Sequence, residues 1–201
     1  LSQAMGARGG VGSASGLFAL PPPSVVLVLG GAGSGKASLC GQLASRLGCT
    51  YLRLASLPME AAAEGTAAGL QAAELLSSGK VMPLSLSVAL LVEAMGRAAS
   101  AAYLVDGLAT LEEVSAFEAA LGAPCAAALH LEVTSEALSA RLPLRDGECW
   151  DAFDELEREL DDAAVVARHA SFEGAAAPLL RSLAAEGRLR SVSVTPPSEV
   201  V

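Results

Sequence analysis

A three-layer α/β/α domain on a parallel sheet is the fold class that this 201-residue chain predicts, and three observations predict it. Five short runs of β-branched and aliphatic residues recur, at 25–29, 50–54, 101–105, 127–133 and 189–194. Longer stretches of helical composition separate them, so each connection is a crossover and the strands lie parallel, with helices on both faces. The first run opens directly into a glycine-rich turn ending in Gly35-Lys36. In such sheets ligands gather at the carboxyl ends of the strands, which is where that turn lies.

Taken in order, residues 1–23 are rich in Gly, Ser and Ala and close on Pro21-Pro22-Pro23, the composition of a flexible linker with a stiff end. Residues 24–194 read as one domain, and 195–201, starting Thr-Pro-Pro, as a tail. Val25-Val-Leu-Val-Leu29 is apolar on every side, as a strand buried on both faces requires. The turn Gly30-Gly31-Ala32-Gly33-Ser34-Gly35-Lys36 then fits G-x-x-x-x-G-K, the phosphate-binding loop. Its glycines let successive backbone N–H groups converge on phosphate oxygens, and Lys36 adds a point charge. The helix expected over 37–47 adds its positive end to the same spot. Gly30, Gly31, Gly33, Ser34, Gly35, Lys36, Ala37 and Ser38 are therefore the candidate phosphate contacts. Ala37 stands where many such loops carry the Ser or Thr that meets magnesium, so Ser38 is the nearest hydroxyl for that ion.

Residues 60–76 and 84–99 predict helices on either side of Ser77-Ser-Gly-Lys-Val-Met-Pro83, a turn punctuated by Gly and Pro. Asp106 ends the strand at 101–105, where its carboxylate projects near the loop and can orient the water shell of a magnesium ion. Arg141 and Arg145 lie four apart, so a helix places both guanidinium groups on one face. The acidic segment 151–162 reads as a solvated helix face with Trp150 and Phe153 at its start, and Trp150 reads as a core or lid-packing aromatic, the alternative being a partner-contact anchor. His130 and His169 have no Ser, Cys or metal-ligand partner at a telling spacing and read as structural.

Composition excludes several classes. A net charge of −9, from 13 basic and 22 acidic residues, offers no basic field for nucleic acid. Of the lysines there are two, Lys36 and Lys80, and one of them sits in the loop. Cys40, Cys49, Cys125 and Cys149 form no C-x-x-C pair, so reduced thiols are expected rather than a zinc site. No apolar run is long enough to span a bilayer, and no secretory leader is recognisable, so the expected location is cytoplasmic. A chain opening on Leu is expected to be part of something longer.

Four segments together resemble the nucleoside monophosphate kinases, adenylate kinase above all, across roughly residues 24–194. They are the loop from Gly30 to Cys40, Gly79-Lys-Val-Met-Pro83, Tyr103-Leu-Val-Asp-Gly107, and Ala140-Arg-Leu-Pro-Leu-Arg145. The resemblance implies a P-loop NTPase fold with a five-stranded sheet, a helical monophosphate-binding insertion and a lid. It implies ATP and Mg²⁺ as cofactors, Arg141 stacking on adenine, and Arg145 joining Lys36 and Asp106 in catalysis. It also exposes departures. Where the family carries Thr-Gly-Asp followed by an arginine, this chain has Leu54-Ala-Ser-Leu-Pro-Met59. Where the family carries another arginine and the glutamine that reads adenine, it has Leu108-Ala-Thr110 and Val114. The lid is reduced, with Asp161-Asp162 and Arg168 as its remnants.

The expectation is therefore a domain that binds ATP–Mg²⁺ but transfers phosphate to AMP weakly or not at all. Protein partners in a larger assembly are expected, and the ciliary or flagellar axoneme is a setting in which such domains are built. The alternative is a working kinase with an altered acceptor pocket, in which Arg53 or Arg97 holds the acceptor phosphate. A third reading is a scaffold with an empty loop.

Overall fold

The structure, a computed structural model, describes residues 23–134, 137–138 and 162–194. Arg141, Arg145, Cys149, Trp150, Phe153, Asp161, nearly all of the acidic segment, the reduced lid, the linker and the tail lie outside the described residues.

The chain enters as β1 (Ser24–Leu29), turns through the loop into α1 (Lys36–Leu47) and returns along β2 (Thr50–Arg53). Three helices follow, α2 (Leu57–Ala63), α3 (Ala67–Ser77) and α4 (Leu84–Ala98), before β3 (Ala102–Asp106) and α5 (Leu111–Leu121). β4 (Ala127–Glu132), α6 (Asp162–Ala185) and β5 (Leu189–Ser193) complete the described elements. The strands form one parallel sheet in the order β2-β3-β1-β4-β5. The predicted fold class and all five predicted strands are therefore present.

Alternation along the strands divides the core into two layers. Val25, Leu27, Leu29, Tyr103 and Val105 face the larger layer, with Leu57, Leu90, Leu91, Phe117, Leu179 and Leu183 of the helices. Val28 and Leu104 face the other way, onto Cys40 of α1, with Val26, Leu43, Cys49 and Tyr51 packed around them. Each of these buried aliphatic side chains contributes about 1.5–3 kcal/mol relative to its exposed state. Burial also pushes the Cys40 and Cys125 thiols up to about 12, so these two are inert packing residues, as the cysteine spacing led us to expect.

One expected helix is two. Residues 60–76 break at Gly65-Thr66, where the Thr66 hydroxyl accepts the Gly69 N–H at 3.0 Å and starts α3 afresh. The break lets α3 fold back on α2 until a Cβ on Gly69 would lie 2.2 Å from the carbonyl carbon of Ala61. Small residues, Ala61, Gly69 and Ala72, make that close crossing.

Candidate functional site

The register of the sheet assembles the site at its carboxyl edge. Val28 of β1 and Arg53 of β2 both pair with Asp106 of β3, so Arg53 and Asp106 stand side by side on the face that carries α1. β3 spans Ala102–Asp106, and Asp106 is its last paired residue, at the strand end where the sequence placed it. From β1 the chain passes at once into the loop, with Gly33 (φ 75°) and Gly35 (φ 82°) in the left-handed region that an L side chain rarely adopts. All of the predicted phosphate contacts, from Gly30 to Ser38, thus lie on one short turn and the first turn of α1.

Lys36 is the first residue of α1, and its Nζ reaches back over the loop. It donates to the carbonyl oxygens of Gly30 at 2.7 Å and Gly31 at 3.1 Å, with the Ser34 hydroxyl at 3.5 Å. The ammonium group is thereby held at the loop instead of swinging in solvent, although its stem remains partly exposed. Ser34 itself is buried, and its N–H donates to Gly31 O at 3.3 Å.

Asp106 is 6% exposed and Arg53 is 8% exposed. Burial pushes the Asp106 carboxyl above its ordinary range, while Lys36, Arg53, the Tyr51 hydroxyl and the Gly107 N–H all pull it back. Tyr51 donates to Asp106 Oδ2 at 3.3 Å, and burial together with that carboxylate holds the phenol well above its usual value. Lys36 and Arg53 thus both act on one buried carboxylate beside a loop made of backbone donors.

These residues fit a magnesium ion as phosphoryl-transfer sites usually hold one. Such an ion keeps several waters and takes one or two carboxylates plus substrate phosphates. Asp106 can accept about four hydrogen bonds and uses two of them on Tyr51 and Gly107, so it retains capacity for the ion's water shell. Ser38, exposed in the first turn of α1, is the adjoining hydroxyl. Among the described residues no group of three His, Cys, Asp or Glu could hold a metal by itself.

The acceptor side differs from the expectation in detail. Leu54 is buried against Gly107, and Val114 is buried in the main core, so neither lines an open surface where a monophosphate would lie. Thr110 is the N-cap of α5, its side chain accepting the Glu113 N–H while Glu113 accepts the Thr110 N–H. Met59 alone of the four stands out, at 65% exposure. Arg97 is engaged elsewhere, 2.9 Å from Glu64 and 3.6 Å from Glu93, at the end of α4 that leads to the amino ends of the strands. That placement removes it as a candidate for the acceptor phosphate. Arg53 is in the right layer, and Arg168 is exposed on α6.

Two contributors were not legible from spacing. Tyr51 reaches Asp106 across 55 residues of sequence. His169 of α6, read as merely structural, packs on the loop itself, with Nδ1 3.2 Å from Ala32 O. Of the five buried polar or charged residues described, Ser34, Arg53, Asp106 and His169 gather here and only Ser87 lies apart. His130 on β4 has its ring 6.4 Å from that of Phe172.

Comparison with known proteins agrees with this geometry. A family model described as an AAA domain matches residues 29–172, well over half of the chain. The chain is 29% identical over 178 residues to UMP-CMP kinase 1 of Oryza sativa subsp. japonica, covering 86% of this chain and 70% of that protein. It is 27% identical over 181 residues to UMP-CMP kinase 3 of Arabidopsis thaliana, covering 89% and 85%. It is 30% identical over 143 residues to adenylate kinase isoenzyme 1 of Cyprinus carpio, covering 68% and 73%. With the phosphate loop, the parallel sheet and these relatives in agreement, the chain belongs to the adenylate and nucleoside monophosphate kinase family of P-loop proteins.

Proposed function

We propose that this domain binds ATP–Mg²⁺ through residues 30–38 and transfers phosphate to AMP weakly or not at all, acting as a nucleotide-binding module of a larger protein. The observation that carries the reading is an asymmetry. On the donor side, Lys36 is held over a loop of backbone donors, with Asp106 buried beside it. On the acceptor side, Leu54 and Val114 are core residues and Met59 carries no charge. A planar, doubly charged phosphate is held bidentately by arginine forks, which none of those side chains can imitate.

In the proposed chemistry the loop N–H groups, the N-terminus of α1 and Lys36 receive the ATP phosphates. Magnesium, when bound, neutralises charge that develops on the transferred group. Asp106 holds the ion's waters, and Arg53 and Tyr51 hold Asp106. Arg141 and Arg145 belong to the proposal through the family resemblance, as adenine and phosphate contacts. Phosphoryl transfer in this class rests on positioning and charge, so absent acceptor arginines cost several powers of ten in rate. A larger cytoplasmic assembly such as the axoneme of a cilium or flagellum is the setting we propose for a module of this kind.

Calorimetry with ATP–Mg²⁺ tests the binding, with Lys36→Ala expected to lose a charge-assisted contact of about 1.5–3 kcal/mol. Equal, negligible affinity in the two chains would leave the scaffold reading. A coupled assay with AMP tests the rate, expected at least ~10³ below the roughly 1–100 s⁻¹ of ordinary kinases. One observation favours a second reading. Arg53 is a buried cation beside Asp106, and the relatives named above include UMP-CMP kinases. Brisk turnover with CMP or UMP, lost in Arg53→Ala, would make this a working kinase with an altered acceptor pocket.

A further inference from the structure

His169 sits on α6, 137 residues beyond the loop it touches, and is only 6% exposed. Its Nδ1 lies 3.2 Å from the carbonyl oxygen of Ala32. A carbonyl oxygen only accepts, so the contact places the ring proton on Nδ1 and makes the imidazole the donor. The ring also occupies the space above Gly31, where a Cβ would meet Cγ at 2.8 Å and Cε1 at 2.9 Å, with Nδ1 closer still. The other nitrogen, Nε2, is buried without a hydrogen-bond partner, and the Glu173 carboxylate one turn along α6 is 3.5 Å away.

An apolar side chain of similar size would fill this volume and leave no buried nitrogen orphaned, which is a cost that the imidazole carries. What the imidazole supplies in return is the bond from Nδ1. In a trans peptide the C=O and N–H point in opposite directions. A donor that captures the Ala32 carbonyl on the α6 side therefore turns the Gly33 N–H away from α6. Leu138 and Val165 pack on the same turn, in contact with the position a Cβ on Gly33 would take.

We propose that His169 is a positioning residue of the phosphate loop: its Nδ1–H bond to Ala32 and its seat on Gly31 fix the peptide whose N–H faces the phosphates. Its effect on affinity rests on the nucleotide-binding reading above, whereas its hold on the loop can be measured without nucleotide. By fixing the loop beforehand, His169 removes an ordering cost from ligand binding. It also ties the loop to α6, on which Arg168 is the residue before His169.

The experiment compares the full chain with His169→Leu, which keeps bulk and removes the donor, and His169→Asn, whose amide nitrogen reproduces the Nδ1 donor. Amide hydrogen exchange is read first at Ser34, whose N–H donates to Gly31 O, with Leu27 and Val105 in the sheet as controls. In the nucleotide-free protein His169→Leu is expected to speed exchange at Ser34 about tenfold or more and leave the controls unchanged. His169→Asn restores protection. ATP–Mg²⁺ affinity follows the same order, falling about tenfold in His169→Leu and recovering in His169→Asn. Unchanged Ser34 exchange in His169→Leu, or equal loosening by Leu and Asn, would overturn the proposal. The predicted exchange pattern in a chain with no affinity for ATP would support the hold on the loop and overturn the nucleotide reading instead. Should His169→Leu fail to fold, the ¹⁵N resonances of the ring in the unaltered chain decide. A proton on Nδ1 supports the assignment, and a neutral ring protonated on Nε2 alone contradicts it.

Discussion

Asp106 is the residue on which the charge balance of the site turns. Because burial raises its carboxyl above the ordinary value of 3.8, the folded chain keeps that proton to higher pH than the unfolded chain does. Between those two values the folded state binds more protons, so this group's contribution to stability falls as pH rises through the window. Asp106→Asn has no such titration. The stability of the parent relative to Asp106→Asn is therefore expected to be level below about pH 4 and to decline above it, up to the raised value. Urea unfolding at a series of pH values checks this, and parallel pH curves for the two chains would contradict it. The sequence placed Asp106 near the loop because an Asp after an apolar strand lands at the carboxyl end of the sheet. It did not reveal how the carboxylate is held, since Tyr51 and Arg53 meet it only through the lateral register of β2 on β3.

At the scale of elements, the segment from Gly107 to Thr110 links the end of β3 to α5 and is fixed by a capping box. Glu113 accepts from both Ala109 N and Thr110 N at 2.8 Å, and Thr110 Oγ1 accepts from Glu113 N at 3.2 Å. These bonds satisfy donors that the first turn of α5 would otherwise leave unpaired. Thr110→Ala is expected to cost about 0.5–2 kcal/mol, seen as a lower urea midpoint at unchanged slope, with ATP affinity unaltered. A loss of ATP affinity larger than the loss of stability would mean that Thr110 touches ligand. The strands were legible in the sequence to within a residue or two because each is a short apolar run bounded by turn residues. The α2–α3 break was less so. Its apolar periodicity runs on through Gly65-Thr66, and what halts the helix is the Thr66 cap together with a close crossing at Gly69 that only the tertiary fold reveals.

For the whole molecule, the phosphate loop was the most legible part of the site because all of its donors are consecutive. His169 was the least, since its role comes from α6 lying across the loop and from no motif in its own neighbourhood. Among the described residues no helix is long and apolar enough to cross a membrane. In a chain with a net charge of −9, Lys36 and Arg53 both act on the buried Asp106 at the carboxyl end of the sheet.

The central claim is that the donor half of a kinase site survives here without the acceptor half, and a bisubstrate ligand that joins two adenosines through phosphates tests it most directly. In a site with both halves, the second adenosine and its phosphate add their own binding free energy. Here that half meets Met59 and a segment whose Leu54 is buried, leaving its phosphate without a bidentate partner and partly desolvated. Calorimetric affinities for ATP and for the bisubstrate ligand are predicted to agree within about tenfold, or ~1.4 kcal/mol. A gain of about three or more powers of ten would contradict the account, with Arg53 and Arg168 the first residues to replace in locating the acceptor site.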